Sequence, residues 1–186
     1  MNSFILITGG ARSGKSTLAE TKAKELGKNV VYIATAIAFD DGMKDRIKKH
    51  KESRPQSWAT IERYKDFREM DQNEDFLNSD MVLLDCMTLL VSNQLLESEV
   101  DFDKCPMSEI DAIEKRIFEQ VDELLKVIEK HNKSFIAVTN EVGMGLVPSY
   151  RLGNIFRDIS GRVNQHLAHK ADEVYMTVSG IPIRIK

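Results

Sequence analysis

The sequence has little cysteine, no excess of basic charge and no long apolar run, and each lack removes a class of protein. Its two cysteines, Cys86 and Cys105, have no metal-type spacing and suggest no disulfide framework. A reducing, cytoplasmic setting is therefore expected. Lys and Arg total 26 against 29 for Asp and Glu, a net charge of -3. A general nucleic-acid binder is usually basic, so no nucleic-acid partner is expected. No run approaches the length of a membrane span. The start, Met1 to Ile7, carries no basic region, and its apolar run is short. It reads as a strand rather than a signal peptide. Repeats, low-complexity tracts and long linkers are also missing. With 42% hydrophobic residues for one packed core, the 186 residues are expected to form a single domain, 1–186.

What is present is an alternation of two patterns. Phe4 to Thr8, Asn29 to Thr35, Met81 to Asp85 and Phe135 to Thr139 are short, apolar and often β-branched, and they read as strands. Helices are expected from Lys15 to about Leu26, where Gly27 stops the pattern, and from Thr88 to Glu97. A third runs from Glu109 to Lys130, with Ile110, Ile113, Ile117, Val121, Leu124 and Ile128 at steps of three and four. A fourth runs from Leu152 to about Lys170. Asp40 and Asp41 are placed to cap a further helix that ends before Pro55. Ile61 to Met70 reads as a weaker helix, and Ser98 to Ser108 as a connection. Val174 to Val178 and Ile181 to Ile185 close the chain as a strand pair around Ser179-Gly180. Such alternation implies an α/β fold, a mostly parallel sheet flanked by helices on both faces. Ligands of these sheets sit beyond the carboxyl ends of the strands.

The first strand runs directly into Gly9-Gly10-Ala11-Arg12-Ser13-Gly14-Lys15-Ser16, which fills the phosphate-loop pattern G-x-x-x-x-G-K-[ST]. Its glycines let successive N–H groups converge on phosphate oxygens, and the following helix adds its positive end. Lys15 supplies a point charge to the β- and γ-phosphates, and Ser16 a hydroxyl to Mg²⁺. A loop of this kind between a strand and a helix implies a nucleoside triphosphate ligand. Asp85 ends the third strand, where a carboxylate serves the Mg²⁺ shell or merely caps the next helix; the phosphate loop favours the metal role.

Lys44 to Arg54 is a basic stretch, by itself an ordinary solvated helix face. Met43, Ile47 and His50 share one helical stripe within it. His50 is either a structural residue or a nucleophile, because a neutral imidazole can attack phosphorus near pH 7.

Several segments together resemble one family. They are Thr8 to Ser16, Tyr32-Ile33-Ala34-Thr35, Arg46-Ile47 with His50, Arg54-Pro55 with Trp58, Thr139-Asn140-Glu141-Val142-Gly143-Met144-Gly145, and Phe156-Arg157-Asp158 with Gly161-Arg162-Val163-Asn164-Gln165. The pattern is similar to the bifunctional adenosylcobinamide kinase/adenosylcobinamide-phosphate guanylyltransferases, over nearly the whole chain. The resemblance implies a RecA-like phosphate-loop sheet and a homotrimer. It also implies two reactions: GTP or ATP phosphorylates adenosylcobinamide, and GTP then guanylylates adenosylcobinamide phosphate. The guanylylated histidine falls on His50; Lys15, through its charge on the phosphates, is the other expected catalytic residue. The nucleotide contacts fall on Gly9, Gly10, Ala11, Arg12, Ser13, Gly14, Lys15, Ser16, Ala34, Thr35, Ala36, Lys51, Glu52, Ser53, Arg54, Glu62 and Asp85. Mg²⁺ would be held by Ser16 and Asp85, although some relatives carry Glu where this chain has Asp85. Asn140, Glu141, Gly143 and Gly145 form either a corrinoid-side or metal-side loop or a tight structural turn. Two other readings share the phosphate loop: another small-molecule kinase, and a nucleotide-switch module. The second is disfavoured because no N-K-x-D guanine motif is present.

Overall fold

A computed structural model of the chain describes residues 1–37, 42, 51 and 54–186. Its elements run β1 (Phe4–Gly9), α1 (Lys15–Leu26), β2 (Val30–Ala34), β3 (Ala59–Glu62), a 3₁₀ turn (Phe67–Gln72) and α2 (Glu74–Asn78). Then follow β4 (Met81–Asp85), α3 (Met87–Leu96), α4 (Met107–Lys130), β5 (Ser134–Val138), α5 (Arg151–Lys170), β6 (Glu173–Val178) and β7 (Ile181–Arg184). The helix expected up to Arg54, His50 included, lies outside the described residues apart from isolated positions.

The seven strands form one sheet in the order β3-β2-β4-β5-β1-β6-β7. All pairings are parallel except β6 with β7, the closing hairpin. Buried alternation along the strands feeds two cores. Phe4, Leu6, Val31, Ile33, Val82, Leu84, Phe135 and Ala137 point into the larger one. Ile5, Ile7, Val30, Tyr32, Met81, Leu83, Ile136 and Val138 point into the smaller one. Phe4 and Phe135 are register partners, and their rings stack at 4.9 Å. The smaller core is closed by α1, which buries Ala19 and Ala23 there; their small side chains let the helix approach the sheet closely. The larger core takes the apolar stripe of α4 and the inner face of α5. Eight residues of α4 are buried, each aliphatic side chain contributing about 1.5–3 kcal/mol.

One sequence expectation fails. Ile61 to Met70 is not a helix: it divides into the edge strand β3 and a 3₁₀ turn. Ile61, Tyr64, Phe67 and Met70 recur every third residue, a spacing that imitates a helix. Three is the period of the 3₁₀ turn that buries Phe67 and Met70.

Candidate active site

Beyond the carboxyl end of β1 the chain turns through Gly9 to Gly14 and enters α1. Two backbone angles there need glycine. Gly9 has φ 151°, and a Cβ on it would meet Thr177 O at 2.5 Å and Ser13 Oγ at 2.7 Å. Gly14 has φ 95° and stands at the head of α1, where no side chain caps the helix. An uncapped helix start leaves N–H groups directed at the loop, where an anion satisfies them. Lys15 is buried, and its Nζ donates to Gly10 O at 2.6 Å, so the ammonium folds back over the loop.

The loop is braced by the C-terminal hairpin. Ser13 Oγ and Thr177 Oγ1 share a buried hydrogen bond of 2.7 Å, and Gly180 N donates to Ser13 O at 2.9 Å. Opposite the loop, Ser16 Oγ donates to Asp85 Oδ2 at 2.7 Å, joining the head of α1 to the end of β4. Ser16 and Asp85 thus present a hydroxyl and a carboxylate at one point, a hard-oxygen pair suited to a divalent cation.

A cavity of about 670 Å³ opens over this corner. It is lined by the loop from Ala11 to Thr17, by Tyr32, Ala34 and Ala36 of β2 and its exit, and by Arg54 and Asp85. Asn140, Glu141, Val142 and Phe156 also line it. Arg54 is buried, with its guanidinium 3.6 Å from the centre of the Tyr32 ring. Burial, reinforced by the Asp85 charge, pushes the Tyr32 phenol far above its usual range. Burial also pushes the Cys86 thiol up to about 12, again helped by Asp85, so Cys86 stays protonated and is no nucleophile at neutral pH. Glu20, on α1, is raised mainly by burial, against the pull of Lys24 and Arg54.

The residues expected at the site sort into groups. Ala11, Arg12, Ser13, Gly14, Lys15, Ser16, Ala34, Ala36, Arg54 and Asp85 share the cavity wall. Gly9 and Gly10 shape the loop behind it. Thr35 is turned inward and almost fully buried. Its hydroxyl donates to Cys86 O at 2.7 Å and accepts from Cys86 N at 2.9 Å, while its carbonyl accepts from Asn93 at 2.6 Å. Thr35 therefore fixes the exit of β4, across a cis Asp85–Cys86 peptide. Glu62 is exposed at the end of β3, beside Ala34 in register and off the cavity wall. Lys51 is exposed. His50, Glu52 and Ser53 lie outside the described residues.

Other contributors carry no sequence signal of their task. Thr177 is one threonine in a strand, and its role depends on β6 pairing with β1. Asn164, on α5, accepts from Thr139 Oγ1 at 2.6 Å and donates to Asn140 O at 3.1 Å, pinning the exit of β5. Thr88 Oγ1 accepts Asn140 N at 2.6 Å from the other side. Arg162 forms an ion pair with Glu114 instead of reaching the cavity. Trp58 packs partly buried against the smaller core. His169 is exposed, while His131 and His166 are half-buried, each bonded to an aspartate, Asp71 and Asp122, at 2.7 Å.

A phosphate-loop α/β sheet with a lysine, a serine and a strand-end aspartate around one cavity defines a nucleotide-binding enzyme of the phosphate-loop class. The family model for cobinamide kinase/cobinamide phosphate guanyltransferase matches residues 5–185. The chain belongs to that family, and it is accordingly a transferase with a kinase and a guanylyltransferase activity. It is 43% identical to the bifunctional adenosylcobalamin biosynthesis protein CobU of Escherichia coli, over 98% of this chain and 99% of that protein. The protein of the same name from Salmonella typhimurium strain LT2 is also 43% identical, with the same shares covered. Among solved structures, the flagellar accessory protein FlaH of Methanocaldococcus jannaschii is 18% identical, with a TM-score of 0.49 over 100% of this chain and 78% of that one. No helix among the described residues is long and apolar enough to cross a membrane.

Proposed function

We propose that this cavity phosphorylates adenosylcobinamide with GTP or ATP and then transfers GMP from GTP to adenosylcobinamide phosphate. The observation that carries the proposal is the shared wall: the phosphate loop, the Ser16–Asp85 pair and the Asn140–Val142 loop of the family motif face one cavity. In the kinase step the loop amides and Lys15 hold the triphosphate and neutralise charge on the phosphoryl group in flight. In the second step the His50 imidazole attacks the α-phosphorus of GTP, and pyrophosphate leaves. The phosphate of adenosylcobinamide phosphate then displaces the imidazole to give adenosylcobinamide-GDP. Division into two displacements is covalent catalysis.

Mg²⁺ fits the donors present. Ser16 Oγ and an Asp85 oxygen would hold it, and no cluster of three or more His, Cys, Asp or Glu occurs among the described residues. A cation held by one carboxylate, one hydroxyl, water and triphosphate oxygens is the usual arrangement for Mg²⁺. Bound there, it supplies charge neutralisation at the β- and γ-phosphates. A homotrimer and a cytoplasmic setting belong to the same proposal; molar mass in solution checks the first.

The test is incubation with adenosylcobinamide and GTP, scored for phosphorylated and guanylylated products. Alongside it, α-labelled GTP should leave an acid-labile label on the protein that is absent from His50→Ala. Label retained by His50→Ala removes His50 from the mechanism. Phosphorylation without any protein-bound GMP would favour an ordinary kinase.

A further inference from the structure

We infer that Glu141 is the general base of the kinase step, taking the proton from the acceptor hydroxyl; this rests on the function proposed above. The strand order carries the argument. Glu141 follows β5, which lies between β4 and β1, so its loop leaves the sheet between Asp85 and the phosphate loop. Its own N–H donates to Gly9 O at 2.9 Å, which sets its backbone against the first glycine of that loop. The preceding residue is held on both sides, Asn140 N by Thr88 and Asn140 O by Asn164. Glu141 Oε1 accepts Gly143 N at 2.6 Å, so the carboxylate itself is oriented. A side chain fixed in this way is preorganised.

Its charge needs a reason. Among the described residues lining the cavity, Asp85 and Glu141 carry the carboxylates. An anion on the wall of a triphosphate site repels the ligand unless it meets a cation or a proton donor. Asp85 accepts from Ser16 at the metal corner. Glu141 lines the cavity with Val142 and Phe156, beside the phosphate loop, so an acceptor hydroxyl lying on the γ-phosphate would come within its reach. In the step, the carboxylate takes the hydroxyl proton as the alcohol oxygen bonds to the γ-phosphorus. The bond from that phosphorus to the bridging oxygen breaks, and its electron pair stays on the departing nucleoside diphosphate. The resulting carboxylic acid returns its proton to water. GMP transfer needs no such base, since its acceptor is an already ionised phosphate.

Glu141→Gln keeps an oxygen for Gly143 N and removes the basicity. The wild type and this variant are compared in two assays: γ-phosphoryl transfer from GTP to cobinamide, and GMP transfer to preformed cobinamide phosphate. The kinase kcat should fall about 10²–10⁴-fold, far more than GMP transfer or α-label uptake. A variant with wild-type kinase kcat overturns the inference. So does a parallel loss of both steps, which marks a structural fault, or a raised KM for GTP alone. A wild type that phosphorylates no cobinamide defeats the proposed function itself; failure of the inference alone leaves wild type and variant both active.

Discussion

Two loops line the cavity, and they are built in opposite ways. The phosphate loop between β1 and α1 is locked by backbone and short side chains: the Gly9 and Gly14 angles, the Ser13–Thr177 pair and the Gly180 amide. The loop between β5 and α5 is held at its root, through Asn140 and Glu141, and at its far end, where Pro148 O accepts from Asn154 Nδ2 at 2.9 Å. Past Val142 it turns apolar groups outward, with Met144 77% and Leu146 96% exposed, and Val147 and Tyr150 also largely exposed. A triphosphate has one shape, and fixed amides aimed at it cost no reorganisation when the ligand arrives. A contiguous exposed apolar patch is instead a surface for contact. The difference assigns preformed charge recognition to one wall and surface contact to the other.

The strongest break is made on the locked wall. Lys15→Ala removes the buried ammonium that folds over the loop. Both product formation from adenosylcobinamide and protein labelling by α-labelled GTP should drop by about 10²–10³-fold, the usual loss for a charge-stabilising donor. If labelling survives while phosphorylation is lost, the two steps do not share this anchor. Next in size is Gly9→Ala. Its methyl group would lie 2.5 Å from a strand carbonyl, at a φ that side chains rarely adopt. Thermal unfolding should show a loss of about 1–3 kcal/mol. Gly145→Ala on the loop after β5 meets nothing closer than Val142 O at 3.9 Å. It should change stability by no more than about 0–1 kcal/mol, in the stabilising direction.

This contrast also explains what the sequence reveals and what it hides. The phosphate loop is legible because its function is carried by neighbours in sequence, Gly9 through Ser16. Asp85 is legible because a strand of four apolar residues stops on it. The brace is not: Ser13 and Thr177 lie 164 residues apart, and only the parallel β1–β6 pairing brings them together. Asn164 appears as a motif residue with no stated task until α5 places it under Asn140. Thr35 belongs to an expected nucleotide segment, yet its hydroxyl is consumed by both polar groups of the Cys86 backbone. Strands β1, β2, β4 and β5 announce themselves through buried apolar runs. The edge strand β3 does not, because Ala59-Thr60-Ile61-Glu62 buries only Ile61 fully.

A smaller effect comes from the brace. Thr177→Val keeps the shape and deletes one hydroxyl, leaving Ser13 Oγ buried without that partner. Stability should fall by about 1 kcal/mol. If the hairpin orients the loop, the KM for GTP rises as well; an unchanged KM with lowered stability reduces the hairpin to a structural support.

The smallest effect on stability separates the two walls most sharply. Met144→Ser, Leu146→Ser and Val147→Ser, made together, alter side chains that are already in solvent. Exposed positions away from caps, cores and buried networks shift stability by about 0.5 kcal/mol at most. The thermal midpoint should therefore stay near wild type, and so should labelling by α-labelled GTP, since none of the three lines the cavity. The corrinoid substrate should respond: removing apolar contacts made equally in ground and transition states raises KM and leaves kcat in place. A corrinoid KM that does not move would detach this loop from the acceptor and leave the wall at Asn140, Glu141 and Phe156 as its whole contact. A fall in kcat without a change in KM would mean that the apolar residues act on the geometry of Glu141 rather than on the substrate.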